Sequence, residues 1–340
     1  MKKIFLKDIA KDLNVSKTTV SLVLNDKGDA NKISKETQQK IKDYVKEHNY
    51  VPNQLARGLS RGKSETIGLI IPNISDIFYA KIASCVERKA KELGYTVVFS
   101  SSSEDPLKEA DLIRSMLNRQ VDGLIIASTQ QNQQEMEALK KMDFPFVLID
   151  RHYPEIQTDH VVVDNFKGTK ALTEHLLKLG RRKIGLVTLA PGLEAIRQRM
   201  LGYQAALQDF GIQPDVMWIK ELTKDAYRKE MKEAIKELWR FPNPVDAIVF
   251  TTHYLTALGL RELKHLNIKV PQEIAIVSFD ELSAFDLVDP PITSVVQPVT
   301  EMGKVALESL MKKINGKNEK AIHEKTLDVK LVVRKSCGSI

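Results

Sequence analysis

Apolar side chains along this 340-residue chain follow two different rhythms. Near the start, Leu6, Ile9, Ala10 and Leu13 stand at i, i+3, i+4 and i+7, the stripe that one buried helix face requires. Ser16 is placed to cap a second helix through its hydroxyl, and Val20, Val23 and Leu24 supply the inner stripe of that helix. Thr18 and Leu22, four residues apart, point away from the stripe, with Lys17 in the exposed first turn. A loop carrying Asn25, Asp26, Gly28 and Asp29 leads to Ser34, the expected N-cap of a third helix with Ile41, Tyr44 and Val45 on one face. Two helices across so short a turn, braced by a third, predict a helix-turn-helix.

From Thr66 the rhythm changes to short continuous apolar runs alternating with amphipathic stretches. The runs are 67–71, 96–99, 123–126 and 146–149, then 183–187, 247–250 and 274–277. Unbroken β-rich runs separated by helices predict parallel strands buried on both faces. The two series predict two doubly wound lobes. Ligands of such sheets bind beyond the carboxyl ends of the strands, which gathers Phe78, Tyr79, Ser100 to Ser103, Asp150, Arg151, Thr252, His253 and Asp280, with Arg199 on the first helix of the second lobe. Aromatic faces beside a few charged forks suit a sugar or another polar ring-shaped metabolite.

Charge adds a partner. Residues 1–63 carry 14 Lys and Arg against 7 Asp and Glu, whereas the rest of the chain holds 37 of each. A folded basic head on a neutral body is the footprint of phosphate-backbone binding, and the geometry suits a recognition helix in the DNA major groove. The expected partners are double-stranded DNA and a small-molecule effector, with no membrane. Cys85 and Cys337 lie outside any metal or disulfide spacing, so both are expected to be reduced and structural. The first apolar run is too short for a signal peptide, and a cytoplasmic location follows as the expectation, nucleoid-associated when on DNA.

The segments Leu6-Lys7-Asp8-Ile9-Ala10 and Val15-Ser16-Lys17-Thr18-Thr19-Val20-Ser21 closely resemble the head of the lactose/galactose repressor family. The likeness continues through Asn49-Tyr50-Val51-Pro52-Asn53 and Leu55-Ala56-Arg57-Gly58-Leu59, and then through Asp164-Asn165, Val270-Pro271, Phe279-Asp280 and Gln297-Pro298. The resemblance implies an all-α helix-turn-helix head (1–51), a hinge segment (52–63) and an α/β periplasmic-binding-protein-like body (64–340) of two doubly wound parallel-sheet lobes. The first lobe is expected at about 64–163 and 293–325, the second at about 164–292 and 326–340. It further implies Lys17, Thr18 and Leu22 at base-reading positions with Thr19 and Ser21 beside them, and Asn53, Arg57 and the wedge residue Leu59 in the hinge. Phe78, Tyr79, Arg199 and Asp280 match ligand positions. His253-Tyr254 stands where many members carry Asn-Asp, which changes a ligand contact. A homodimer on a pseudo-palindromic operator is the implied assembly.

Two other classes are weighed. A solute receptor for a transporter would fit the body but has no use for a basic head. For catalysis the chain lacks a dinucleotide fingerprint, a nucleophile elbow and a zinc-protease motif. Gly62-Lys63-Ser64 mimics a phosphate loop with wrong spacing and no leading strand. No cofactor or metal and no enzymatic activity are expected.

Overall fold

The computed structural model describes residues 4–48, 50, 63–190, 192–240, 242–316 and 322–339. Two compact units divide at Ser64 and Glu65.

The first unit holds α1 (Leu6–Asp12), α2 (Lys17–Leu24) and α3 (Lys35–Glu47). Ser16 Oγ accepts from Thr19 N at 2.9 Å and Ser34 Oγ from Thr37 N at 3.2 Å, satisfying donors that a helix start otherwise leaves orphaned. Ile9, Ala10, Val20, Val23 and Ile41 form the buried centre, with Leu6, Leu13, Leu24, Tyr44 and Val45 packed around it. Gln38 does a job that spacing did not reveal. Its amide donates to Asp29 Oδ1 and Ile33 O, both at 2.8 Å, and it lies over Gly28, where an added Cβ would meet the Gln38 side chain at 2.5 Å. That glycine lets the loop after α2 close onto α3. Tyr44 donates to Asp12, a bond that pushes its phenol up to about 12.

The second unit contains two six-stranded sheets. The first is built on β1 (Thr66–Ile71), β2 (Thr96–Ser101), β3 (Gly123–Ile126), β4 (Phe146–Ile149) and β5 (His160–Val163), with α4 (Ile77–Glu92), α5 (Pro106–Asn118) and α6 (Gln133–Lys141) between them. The second is built on β6 (Ile184–Leu189), β7 (Ile219–Leu222), β8 (Ala247–Phe250), β9 (Ala275–Phe279) and β10 (Thr293–Val296). Its helices are α7 (Asn165–Lys178), α8 (Glu194–Asp209), α9 (Tyr227–Leu238) and α10 (His253–His265). The helix α11 (Val299–Ile314) and strand β11 (Glu324–Leu327) return to the first lobe, and β12 (Lys330–Val332) closes the second. The sheet orders are β11-β5-β4-β3-β1-β2 and β12-β10-β9-β8-β6-β7. All pairs are parallel except β10 with β12.

The chain crosses between lobes three times, after β5, after β10 and after β11. Two expected boundaries therefore move. Thr293–Val296, expected in the first lobe, pairs in parallel with β9 and completes the second sheet. The last crossing follows Leu327, because β11 pairs with β5 through Leu327↔Val163. The helix α11 completes the first-lobe core, where Met302, Ala306, Leu307 and Leu310 join Ile82 and Val86 of α4. Cys85 and Cys337 are free and buried. No described helix is long and apolar enough to cross a membrane.

Candidate functional site

In the head, α2 carries the residues expected to read bases. Lys17 and Thr18 are exposed, while Thr19, Ser21 and Leu22 are half-buried. Thr19 is occupied in the cap, its Oγ1 lying 2.9 Å from Ser16 Oγ, and Asn25 Nδ2 reaches back to Ser21 O at 2.7 Å. Lys17, Thr18 and Leu22 thus form the outward face, and Thr19 and Ser21 tie the helix ends. Asn53, Arg57 and Leu59 lie outside the described residues.

In the body, both sheets have their switch in strand order between the first and third strands of the lobe, and the carboxyl ends at that switch open into a crevice. Residues beyond these strand ends meet across the lobes, His253 with Asp76 and Lys224 with Glu104. From the second lobe, Arg199 on α8 is buried at 4% exposure and fixed from three sides. Its Nε donates to Asn165 Oδ1 at 2.8 Å, Nη1 donates to Thr251 O at 2.6 Å, and the guanidinium lies 3.7 Å over the Phe279 ring. Nη1 stands 3.5 Å from Asp280 Oδ2. Asp280, just beyond β9, has φ 73°, a left-handed conformation that Asp and Asn tolerate better than most residues. It also accepts from Gln297 Nε2. Burial alone would raise its carboxyl, but Arg199, His253 and Gln297 hold it below the ordinary value.

His253 opens α10 and faces two carboxylates. Nδ1 lies 3.9 Å from Asp280 Oδ2, and Nε2 lies 3.6 Å from Asp76 Oδ1 on the other lobe. Burial pulls the imidazole toward neutrality, yet the two carboxylates raise it above its usual value. At 3.9 Å the contact with Asp280 is an ion pair without a hydrogen bond, so Nδ1 is buried with no hydrogen-bond partner.

The first lobe answers with a second cluster. Tyr79 donates to Asp150 Oδ2 at 2.7 Å, and Arg151 makes a two-pronged bond to Glu104, 2.7 Å on each prong. Arg151 Nε is 3.6 Å from Asp150 Oδ2. Burial raises the Asp150 carboxyl above its ordinary value despite Arg151 and Tyr79. For Glu104 burial is outweighed by Arg151 and Lys224, and the carboxyl is lowered. Phe78 is half-buried on the first-lobe core, edge-on to Tyr79 at 5.0 Å.

Three contacts besides spatial proximity tie the lobes together at this cleft. They are His253 with Asp76, Lys224 Nζ with Glu104 Oε2 at 3.5 Å, and Glu194 N donating to Gln130 Oε1 at 3.0 Å. Gln130 is held in place by a buried brace. Glu109 accepts from Ser128 Oγ at 2.9 Å, Thr129 N at 2.6 Å and Asn132 Nδ2 at 3.1 Å, pinning the loop after β3. A cavity of about 300 Å³ opens beside these groups, lined by Asp150, Arg151, Asn165, Phe166, Glu194 and Gln198.

Among the residues predicted for the cleft, the structure brings Arg199, His253 and Asp280 into one buried charged cluster and Tyr79, Asp150 and Arg151 into another. Phe78 stands at the edge of the second through Tyr79. Sequence reasoning missed Asp76, Glu104, Gln130, Lys224 and the role of Gln297. Only Gln297 carried a signal, as part of Gln297-Pro298. No described group of His, Cys, Asp and Glu is arranged to hold a metal.

A helix-turn-helix reader followed by a two-lobed, doubly wound body defines a single-chain DNA-binding regulator. Residues 5–53 match the model of bacterial regulatory proteins of the lacI family, and residues 173–337 match the periplasmic binding protein-like domain. The chain is 32% identical over 317 residues to the HTH-type transcriptional regulator EndR of Paenibacillus polymyxa, covering 92% of each protein. It belongs to the lacI family of DNA-binding transcription regulators. Among solved structures, the lac repressor dimer bound to operator and the anti-inducer ONPF superposes with a TM-score of 0.86 at 23% identity, covering 99% of both chains. The regulator CelR in complex with cellobiose superposes with a TM-score of 0.72 at 26% identity, covering 98% of this chain and 99% of that one.

Proposed function

We propose that this regulator is a repressor acting in the cytoplasm as a homodimer on a pseudo-palindromic operator, without catalysis, and that a sugar-like effector in the interlobe cleft sets its DNA affinity. The observation that carries the effector reading is the interlobe arrangement of Arg199, Asp280 and His253. A buried arginine has its guanidinium over an aromatic ring, a carboxylate stands beside it, and His253 Nδ1 and Gln297 Oε1 are buried without hydrogen-bond partners. Buried polar atoms are costly when unsatisfied, and a ligand with several hydroxyls supplies the missing partners. The cellobiose complex of CelR is in keeping with such a ligand. A change in lobe angle is the bistable element that effector and DNA both bias, and the coupling is reciprocal. Arg57, Asn53 and Leu59 are the proposed hinge contacts, with Leu59 as the minor-groove wedge.

The test begins with selection of binding sites from a randomised DNA pool by the purified full chain, followed by binding isotherms with and without individual sugars. An inverted repeat bound by two protomers, with affinity altered by at least one sugar, is the expected result. Recovery of a single half-site bound by one protomer refutes the dimer. Affinity indifferent to every sugar refutes the effector reading.

A further inference from the structure

We infer that the cleft takes an uncharged polyhydroxylated ligand and discriminates against sugar acids and sugar phosphates. The inference rests on the cleft reading above and specifies the chemistry that the site accepts. Three cationic side chains are buried in the cleft, Arg151, Arg199 and His253, and each is already engaged by a carboxylate. Glu104 takes both prongs of Arg151. Arg199 faces Asp280 through Nη1 and donates from Nε to Asn165 and from Nη1 to Thr251. His253 stands between Asp76 and Asp280. The half-exposed Lys224 also turns to Glu104. An incoming carboxylate or phosphate would have to displace one of these carboxylates and then sit beside it, with Asp150 close to the same groups.

The atoms left without partners point the same way. Ser102 Oγ, His253 Nδ1 and Gln297 Oε1 are buried and unbonded, and they follow β2, β8 and β10, so both lobes contribute. Because Gln297 Nε2 is committed to the Asp280 carboxylate, the free end of that amide is its carbonyl oxygen, which can only accept. An ionised phosphate or carboxylate oxygen also only accepts, and it would leave Gln297 Oε1 unpaired. A hydroxyl donates to Gln297 Oε1 and accepts from His253 in turn. Hydroxyls on a neutral ring both donate and accept, and they add no charge to a site where each buried cation already faces a carboxylate.

Titration calorimetry on the full chain with matched sets tests this: glucose, glucuronate and glucose 6-phosphate; ribose and ribose 5-phosphate; cellobiose and cellobionate; and inorganic phosphate alone. The expected result is that at least one neutral member binds, that its acid or phosphate binds at least about tenfold more weakly, equivalent to about 1.4 kcal/mol, and that inorganic phosphate gives no heat of binding. An acid or phosphate that binds more tightly than its neutral counterpart overturns the inference and leaves the effector reading standing. A panel in which no member binds overturns the effector reading and this inference with it.

Discussion

Replacing Arg199 with methionine removes the guanidinium from the cleft while keeping most of the side-chain volume. In the native chain Asp280 titrates below the ordinary carboxylate value because Arg199, His253 and Gln297 more than offset its burial. A depressed folded pKa contributes stability above the unfolded value, near about 3.9, and that contribution is lost as pH falls through the folded value. Without Arg199, burial dominates and the folded value rises above the unfolded one. The mutant then loses stability as pH climbs past about 4. Stripping one partner from a buried ion pair costs about 3–5 kcal/mol, and the lower end applies here because His253 and Gln297 remain. Asn165 Oδ1 and Thr251 O also lose donors at 2.8 and 2.6 Å, adding about 1 kcal/mol each. The total is about 5 kcal/mol, which lowers Tm by on the order of 10 °C at pH 7.5. Thermal unfolding of native and R199M chains between pH 4 and 8 reads the effect directly. The gap is expected to narrow toward pH 4 but not to vanish there, because the native carboxylate stays ionised until pH falls below its lowered folded value, and R199M/D280N is expected to recover roughly half of it at neutral pH. A gap that is constant across pH, or a double mutant worse than the sum of the singles, refutes the account.

Gly202→Ala would place a Cβ 2.3 Å from Phe166 O and 3.0 Å from Lys170 N, both backbone atoms of the facing helix α7. The overlap is expected to cost about 1–3 kcal/mol, seen as a lower urea midpoint. Lys17→Ala is expected to weaken specific operator binding by about 1–3 kcal/mol with the body's Tm unchanged; unaltered affinity would remove Lys17 from the reading face. The raised pKa of His253 makes its contribution to stability full below the unfolded value of about 6.5 and lost as pH rises through the folded value. H253N is accordingly expected to show a flatter urea midpoint than the native chain from pH 6.5 upward, and identical profiles would count against the ion pair with Asp76 and Asp280.

Elements whose burial is set by their own side chains could be read in the sequence. Ser16 and Ser34 announce their helices, and runs such as Gly123–Ile126 and Ala247–Phe250 are apolar throughout because both faces of a central parallel strand are covered. Three of the four edge strands escaped notice for the opposite reason. Ile219–Leu222, Glu324–Leu327 and Lys330–Val332 are partly exposed and carry charge, so no apolar run marks them. Thr293–Val296 was assigned to the wrong lobe because nothing local in a strand names its partner. The cleft divides in the same way. Arg199, His253 and Asp280 follow from strand ends and family likeness, whereas Asp76 reads as an ordinary N-cap, accepting from Phe78 N at 2.9 Å, and its approach to His253 depends on the fold. Glu104 lies in a left-handed turn with φ 61°, and Lys224 reaches it across the whole intervening sequence.

The three crossings leave neither lobe a continuous piece of chain, and this orders events during synthesis. The head is complete once Tyr50 has emerged and can fold at once, since domains generally fold as units from the N-terminus at roughly 5–20 residues per second. The first lobe cannot. Until Met302, Ala306, Leu307 and Leu310 arrive, Ile82 and Val86 of α4 lack part of their packing, and β5 has no outer neighbour until Glu324–Leu327 is made. A ribosome stalled within the second lobe would therefore display a finished DNA-reading head on a body with a bare apolar face. The nascent chain should be capable of touching DNA before it can respond to any ligand, and a chaperone that shields that face would guard the interval.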